Sequence, residues 1–220
     1  MDDDPAVGET LSAILRRNGY AVTCFAEGQS FLAAARARAP ACVLLDVNLP
    51  GRSGLDILKN LNGEHYPVPI LMISGVGDIP MAVEAIKYGA LDFIEKPFRA
   101  NTVSAAVQVS TAKNMIEGLG YRVLAARNGR EALEILGQDR HIDLLFTDLF
   151  MPDSGMHGPQ LVAEARGLRP ELKVVYASGH LDYSVLRRGL DPEIITVSKP
   201  YRLNEVALKL REVLGSRKKE

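Results

Sequence analysis

The 220-residue sequence predicts an α/β protein made of two copies of one three-layer domain, each a parallel sheet between helices. Three observations carry this. Short apolar runs alternate with helix-period segments, the alternation occurs twice, and each pass sets the same polar residues behind the same runs. In the first pass the strand candidates are AVTCFA, CVLLD, PILMIS and LDFIEK. Between them lie the helical segments GQSFLAAARARA, SGLDILKNLN and DIPMAVEAIKYG, the last with apolar Met81, Val83, Ala85 and Ile86. In the second pass RVLAA, IDLLFTD, KVVYAS and IITVSK alternate with GREALEILGQ, GPQLVAEARGL and RLNEVALKLREVL. Strands that are apolar throughout, with no polar face, belong in a parallel sheet covered on both sides.

The repeat fixes the domain count. Residues 18–46 (NGYAVTCFAEGQSFLAAARARAPACVLLD) and 119–148 (LGYRVLAARNGREALEILGQDRHIDLLFTD) both run Gly-Tyr, a β-prone stretch, a Gly, a helical segment and an apolar run ending in Asp. Asp46, Ser74 and Lys96 then recur as Asp148, Ser178 and Lys199, a period of about 100 residues that is too long for a solenoid. Two domains, 1–112 and 113–220, are expected. All six residues fall at the carboxyl ends of strands, where open parallel sheets place their chemistry, so each trio converges although it is spread through the chain.

Composition narrows the function classes. The chain is 47% hydrophobic and 24% charged with a net charge of −1, which argues against a strongly basic nucleic-acid binder or an acidic solvating tail. Cys24 and Cys42 make no disulfide framework and show no metal spacing, so they read as small buried hydrophobes in a reducing compartment. His65, His141, His157 and His180 likewise lack ligand spacing, and the tail SRKKE reads as a solvated end. No apolar run reaches the roughly 18 residues of a membrane span, and MDDDPAVGET lacks the basic and apolar regions of a signal peptide. The expectation is a soluble, cytoplasmic protein with neither nucleic-acid nor membrane partners.

A strand-end Asp is a competent nucleophile for acyl-phosphate formation. A transferring phosphoryl group needs cations and donors around its oxygens. Lys96 offers an ammonium and Ser74 a hydroxyl, while Asp2, Asp3 and Asp4 offer carboxylates for Mg²⁺. The run Asp2–Asp4 also reads as a helix N-cap ahead of Pro5. No GxxxxGK[ST] loop follows any strand, which argues against a nucleotide-binding enzyme.

On these residues the sequence resembles the receiver domains of two-component response regulators, twice in tandem. The first half matches through DDDPAV, LLDVNLPGRSGLDIL, PILMISG and MAVEAIKYGALDFIEKPF, and is similar to receivers that precede helix-turn-helix outputs. The second matches through GLGYRVLAARNGREALEIL, IDLLFTDLFMP, GPQLVAEARGLRPELKVVYASGH and SKPYRLNEVALKLREVL, and is similar to receivers of hybrid sensor kinases. The resemblance implies a flavodoxin-like fold and a non-enzymatic phosphoprotein of a bacterial phosphorelay. A sensor histidine kinase or histidine phosphotransfer protein would be its partner, and a receiver–receiver dimer is a further implied one. By the same resemblance Asp46 is the phosphoacceptor, Ser74 and Lys96 contact the phosphoryl group, and Pro97 sets the turn. Asp2, Asp3, Asp46 and the carbonyl of Asn48 would hold Mg²⁺, and Phe93 is the switch aromatic. In the second copy Asp148, Ser178 and Lys199 take the corresponding roles, Val103 and Ser104 fall where the acidic pair belongs, and Thr196 replaces the aromatic. Aspartate-nucleophile phosphatases of the haloacid dehalogenase type want a second Asp two residues on, where Asn48 and Phe150 stand.

The sequence departs from the family in two places. The apolar strand that leads into the acidic pair is absent from both copies. Losing its three or four buried aliphatic side chains removes about 5–12 kcal/mol of burial, comparable to a whole domain's stability. It also leaves strand edges unpaired. The junction FRANTVSAAVQVSTAKNMIEGLGY is too short for a helix, a strand and another helix. Either one fused helix runs through it, or TVSAAVQV forms a strand. Asp148 is then an acceptor or a relic. The leading function is a receiver phosphorylated on Asp46 without a DNA-binding output of its own, since the chain ends at the last helix. The alternative is a degenerate, non-phosphorylated receiver acting as a protein-interaction module.

Overall fold

The structure, a computed structural model, describes residues 1–75, 79–138, 141–151, 155–179 and 194–215. Asp78, His180 and the SRKKE tail therefore lie outside the described residues. The chain divides into two compact units, Met1–Asn114 and Met115–Glu220.

Unit 1 runs α1 (Pro5–Arg17), α2 (Gly28–Ala37), β1 (Val43–Asp46), α3 (Gly54–Gly63), β2 (Ile70–Ser74), α4 (Ile79–Lys87) and β3 (Asp92–Glu95). Helix α5 (Ala100–Gly118) crosses the boundary. It is followed by α6 (Gly129–Gly137), β4 (Leu144–Asp148), α7 (Gly158–Leu168), β5 (Lys173–Ser178), β6 (Thr196–Ser198) and α8 (Leu203–Leu214). The sheets are parallel, in the orders β1-β2-β3 and β4-β5-β6.

Strand β2 shows why the runs are apolar throughout. Ile70 and Met72 join Phe31, Leu45, Ile57 and Leu58 in a core on one face of the sheet. Leu71 and Ile73 join Leu11, Leu15, Ile94, Val103 and Val107 on the other. Successive side chains point to opposite faces. Helices α2 and α3 therefore cover one side, α1 and α5 the other. In unit 2 two smaller clusters, around Leu136, Ala165 and Leu172 and around Leu149, Val162 and Tyr176, share Leu145 and lie between the sheet and α7 on one face.

The segments AVTCFA and RVLAA, expected as strands, are not strands in the structure. The reason is the absent neighbour: with no full strand between each segment and β1 or β4, neither has a ladder to join. Unit 1 keeps a remnant of one. The Met1 ammonium donates to Leu44 O at 2.6 Å, Asp46 N–H donates to Met1 O at 2.9 Å, and Asp2 N–H donates to Phe25 O at 3.3 Å. The expectation of bare edges is thus corrected for the last step of the ladder in unit 1. Helix α5 is continuous over 19 residues, which settles the junction as a fused helix and overturns TVSAAVQV as a strand.

Asp4 begins α1 as its N-cap, its Oδ1 accepting from Ala6 N–H at 2.9 Å with Pro5 in the first turn. Asp4→Ala is expected to cost about 1 kcal/mol, seen as a drop of a few degrees in the thermal midpoint. Unchanged melting would show that the cap contributes nothing here.

Candidate functional site

Register builds the site. In unit 1 Asp46 ends β1 and Ser74 ends β2, and Lys96 comes directly after the last residue of β3. Lys96 N–H donates to Ser74 O at 2.7 Å, which carries the chain from one strand end to the next. Lys96 Nζ lies 2.5 Å from Asp46 Oδ2 and 2.9 Å from Asp2 Oδ2. Asp46 Oδ1 accepts from Asn48 N–H at 3.2 Å, and Asp2 Oδ1 from Asp4 N–H at 3.0 Å. Asp2, Asp46 and Ser74 are buried and Asp3 is exposed. One carboxylate oxygen from each of Asp2, Asp3 and Asp46 lies within 4.8 Å of the others. A cleft of about 540 Å³ beside them is lined by Asp2, Asp3, Asp4, Ser12, Arg16 and Cys24.

Burial sets the electrostatics. It pushes the Asp46 carboxyl above the usual carboxylate range and the Asp2 charge adds to this, against the hydrogen bonds from Lys96 and Asn48. Partial burial pulls the Lys96 ammonium down, but its bonds to Asp46 and Asp2 outweigh that and leave it raised. The buried Met1 ammonium is lowered by desolvation.

The Lys–Asp arrangement recurs in unit 2, with no acidic cluster beside it among the described residues. Lys199 Nζ lies 2.7 Å from Asp148 Oδ2, and Lys199 N–H donates to Ser178 O at 2.9 Å. Ser178 is buried, and its Oγ makes no hydrogen bond among the described residues. The acidic trio of unit 1 is the one such cluster among the described residues. Val103 and Ser104, which stand where an acidic pair would be, lie within α5, with Val103 wholly buried in the core of unit 1.

The six strand-end residues therefore converge as two trios, and Asp2 and Asp3 join the first. Asn48 meets the site through its N–H, which donates to Asp46. Phe93 sits within β3, opposite Met72 and half-buried against the core, and Thr196 opens β6 opposite Tyr176.

Two residues escaped the sequence reading. Gly54 N–H donates to Val47 O at 2.8 Å, and a Cβ on Gly54 would lie 1.9 Å from Asp46 O. Gly158 N–H donates to Leu149 O at 3.1 Å, and its Cβ would lie 2.2 Å from Asp148 O. Each glycine lets the start of a helix press against the peptide that carries the strand-end Asp. The signal was present as a Gly shortly after each of those Asp residues.

The model of the response regulator receiver domain family matches residues 1–108 and again 104–211. The chain belongs to this family. Its two units are receivers in tandem, as the resemblance implied. Transcriptional regulatory protein FixJ of Bradyrhizobium diazoefficiens is 42% identical over 108 residues, 49% of this chain and 53% of FixJ. Response regulator protein TodT of Pseudomonas putida is 46% identical over 110 residues, 50% of this chain and 48% of TodT. The chain spans about half the length of these curated relatives. They extend well beyond the match, so they lend no support to the expected lack of a DNA-binding output. Full-length FixJ from B. japonicum superposes with a TM-score of 0.51 at 35% identity, over 63% of this chain and 62% of that one. A receiver-domain protein from Clostridium thermocellum superposes at 0.50 with 23% identity, over 53% of this chain and 94% of that one, and shares the fold. The chain is thus a receiver protein of two-component signalling. No helix among the described residues is long and apolar enough to cross a membrane.

Proposed function

We propose that the first receiver accepts a phosphoryl group on Asp46 from the phosphohistidine of a sensor histidine kinase or histidine phosphotransfer protein in the cytoplasm. The observation that carries this reading is the Lys96 ammonium held between the buried carboxylates of Asp46 and Asp2, with Asp3 beside them. An Asp46 oxygen forms the new bond to phosphorus as the phosphorus–nitrogen bond breaks, and the partner's imidazole leaves with the electron pair. Lys96 meets the charge on the transferred oxygens, and Ser74, at the end of the neighbouring strand β2, is a hydroxyl donor. The three oxygen donors of Asp2, Asp3 and Asp46 suit Mg²⁺, which favours a few carboxylates and retains water. When bound, that ion supplies charge neutralisation to the phosphoryl oxygens. Phosphorylation adds nearly two negative charges and would bias the surface around MAVEAIKYG through Phe93.

For the second receiver we infer the other reading, a protein-interaction module not phosphorylated on Asp148. What favours it is the Asp148–Lys199 pair with no carboxylates gathered beside it among the described residues. Intact mass after incubation with Mg²⁺ and acetyl phosphate tests both. One added phosphoryl group is expected in the wild type and in Asp148→Asn, and none in Asp46→Asn. Full labelling of Asp46→Asn would overturn the assignment to Asp46, and a second group lost in Asp148→Asn would overturn the module.

A further inference from the structure

The two receivers differ in one place where their backbones should match. In the first, the edge of β1 away from β2 is engaged: Leu44 O and Asp46 N–H bond to Met1, and the next residue, Asp2, bonds across to Phe25 O. In the second, Lys173 N–H reaches Asp143 O and Leu149 N–H reaches Ala177 O, so odd-numbered residues of β4 face β5. A residue in a parallel strand turns its N–H and C=O to the same side. Leu144 and Phe146 therefore turn theirs to the opposite edge, where no backbone partner is found among the described residues. Across that edge, residues 122–126 make no hydrogen bond among the described residues either. Exposure agrees. Counted back from the strand-end Asp, Leu145 is half-buried where Val43 of β1 is buried, and Leu124 is 39% exposed. The chain's nearest candidates to fill the gap, around Val103, are locked in α5.

We infer that the open edge of β4 is a docking slot for an extended apolar segment of a partner protein, laid parallel to β4 and ending in an acidic residue. The first receiver supplies the template for this occupant. Its Met1 shows the parallel hydrogen-bond pattern, and its Asp2 places a carboxylate at the strand end, 2.9 Å from Lys96 Nζ. In the second receiver Lys199 stands in the place of Lys96, and Ser178 ends β5 with its buried Oγ making no hydrogen bond among the described residues. A sheet covered on both faces wants an occupant that is apolar on both sides. Five residues of β4 at ~3.3 Å each set its length at about 16 Å. Main-chain bonds to an exposed edge are a general mode of peptide capture.

The test uses the full chain and a fluorescein-labelled peptide, Lys-Val-Val-Val-Val-Asp-Asp, read by anisotropy and by amide hydrogen exchange. Saturable binding is expected, with new protection at Phe146. N-methylation of alternate valines in the peptide, which removes donors and keeps the side chains, should weaken binding at least about tenfold. A peptide ending in two asparagines should bind several-fold more weakly. Failure to bind, equal binding of the N-methylated peptide, or protection at Leu44 and Asp46 in place of β4 would overturn the inference. So would protection of Phe146 that rises with protein concentration alone, which would assign the slot to a second copy of the chain.

Discussion

Replacing Gly54 with alanine is expected to destabilise the first receiver by at least about 3 kcal/mol, the upper end of overpacking effects. The added Cβ would stand 1.9 Å from Asp46 O, 2.8 Å from Asp46 C and 3.2 Å from Val47 Cα. These are backbone atoms, so no side chain can swing aside. The approach is also held in place, since Gly54 N–H donates to Val47 O at 2.8 Å. Either the start of α3 lifts away from the sheet, against the packing of Leu55, Ile57 and Leu58 in the core, or the end of β1 moves. Both routes reach the Asp46 carboxylate. For a domain of this size 1 kcal/mol moves the thermal midpoint by about 4–8 °C, so a loss of more than about 12 °C is expected. Labelling of Asp46 by acetyl phosphate should fall in parallel. Gly158→Ala, whose Cβ would lie 2.2 Å from Asp148 O, should destabilise the second receiver in the same manner. Melting of both variants with the parent would show that the helix starts yield freely.

The contact at Gly54 illustrates the limit of what side-chain patterns encode. The strand-end trios were legible because periodicity alone places Asp46, Ser74 and Lys96 after apolar runs, and a parallel register then aligns the ends. The fused α5 was legible as one of two alternatives, because twenty-odd residues cannot hold two helices and a strand, and the continuous helix then excluded TVSAAVQV as a strand. The glycine contact was legible only as a Gly recurring shortly after each Asp, because the contact itself depends on the distance between a helix start and a peptide. AVTCFA and RVLAA failed for a different reason. Their β-prone composition is real, but a strand exists only through its neighbours, and the neighbour is missing. Met1 and Asp2 show the converse: two residues too few to be predicted as a strand still make three backbone bonds and deliver Asp2 to Lys96.

That delivery makes Lys96 the residue whose loss should be felt most at the site. Its ammonium lies between two carboxylates whose side chains are 1% and 4% exposed, at 2.9 Å from Asp2 and 2.5 Å from Asp46. Lys96→Met leaves those charges facing each other with no cation. Breaking a buried pair by removing one partner costs about 3–5 kcal/mol, and because Lys96 is itself partly exposed, about 2–3 kcal/mol is expected near pH 7. The sign of the pH dependence separates this from lost packing. Asp46 is already raised above its unfolded value by burial, so its ionisation opposes folding as pH rises through the folded value. Without the opposing Lys96 bond it rises further. The variant should therefore recover stability on acidification into the upper carboxylate range, with the gap to wild type narrowing as Asp46 takes up its proton. Millimolar Mg²⁺ should raise the midpoint of Lys96→Met more than that of the wild type, since Asp2 and Asp46 would no longer share an internal cation. A gap that stays constant with pH, together with equal gains from Mg²⁺, would mean that Lys96 acts through packing of its stem alone and that the carboxylates are not coupled through it.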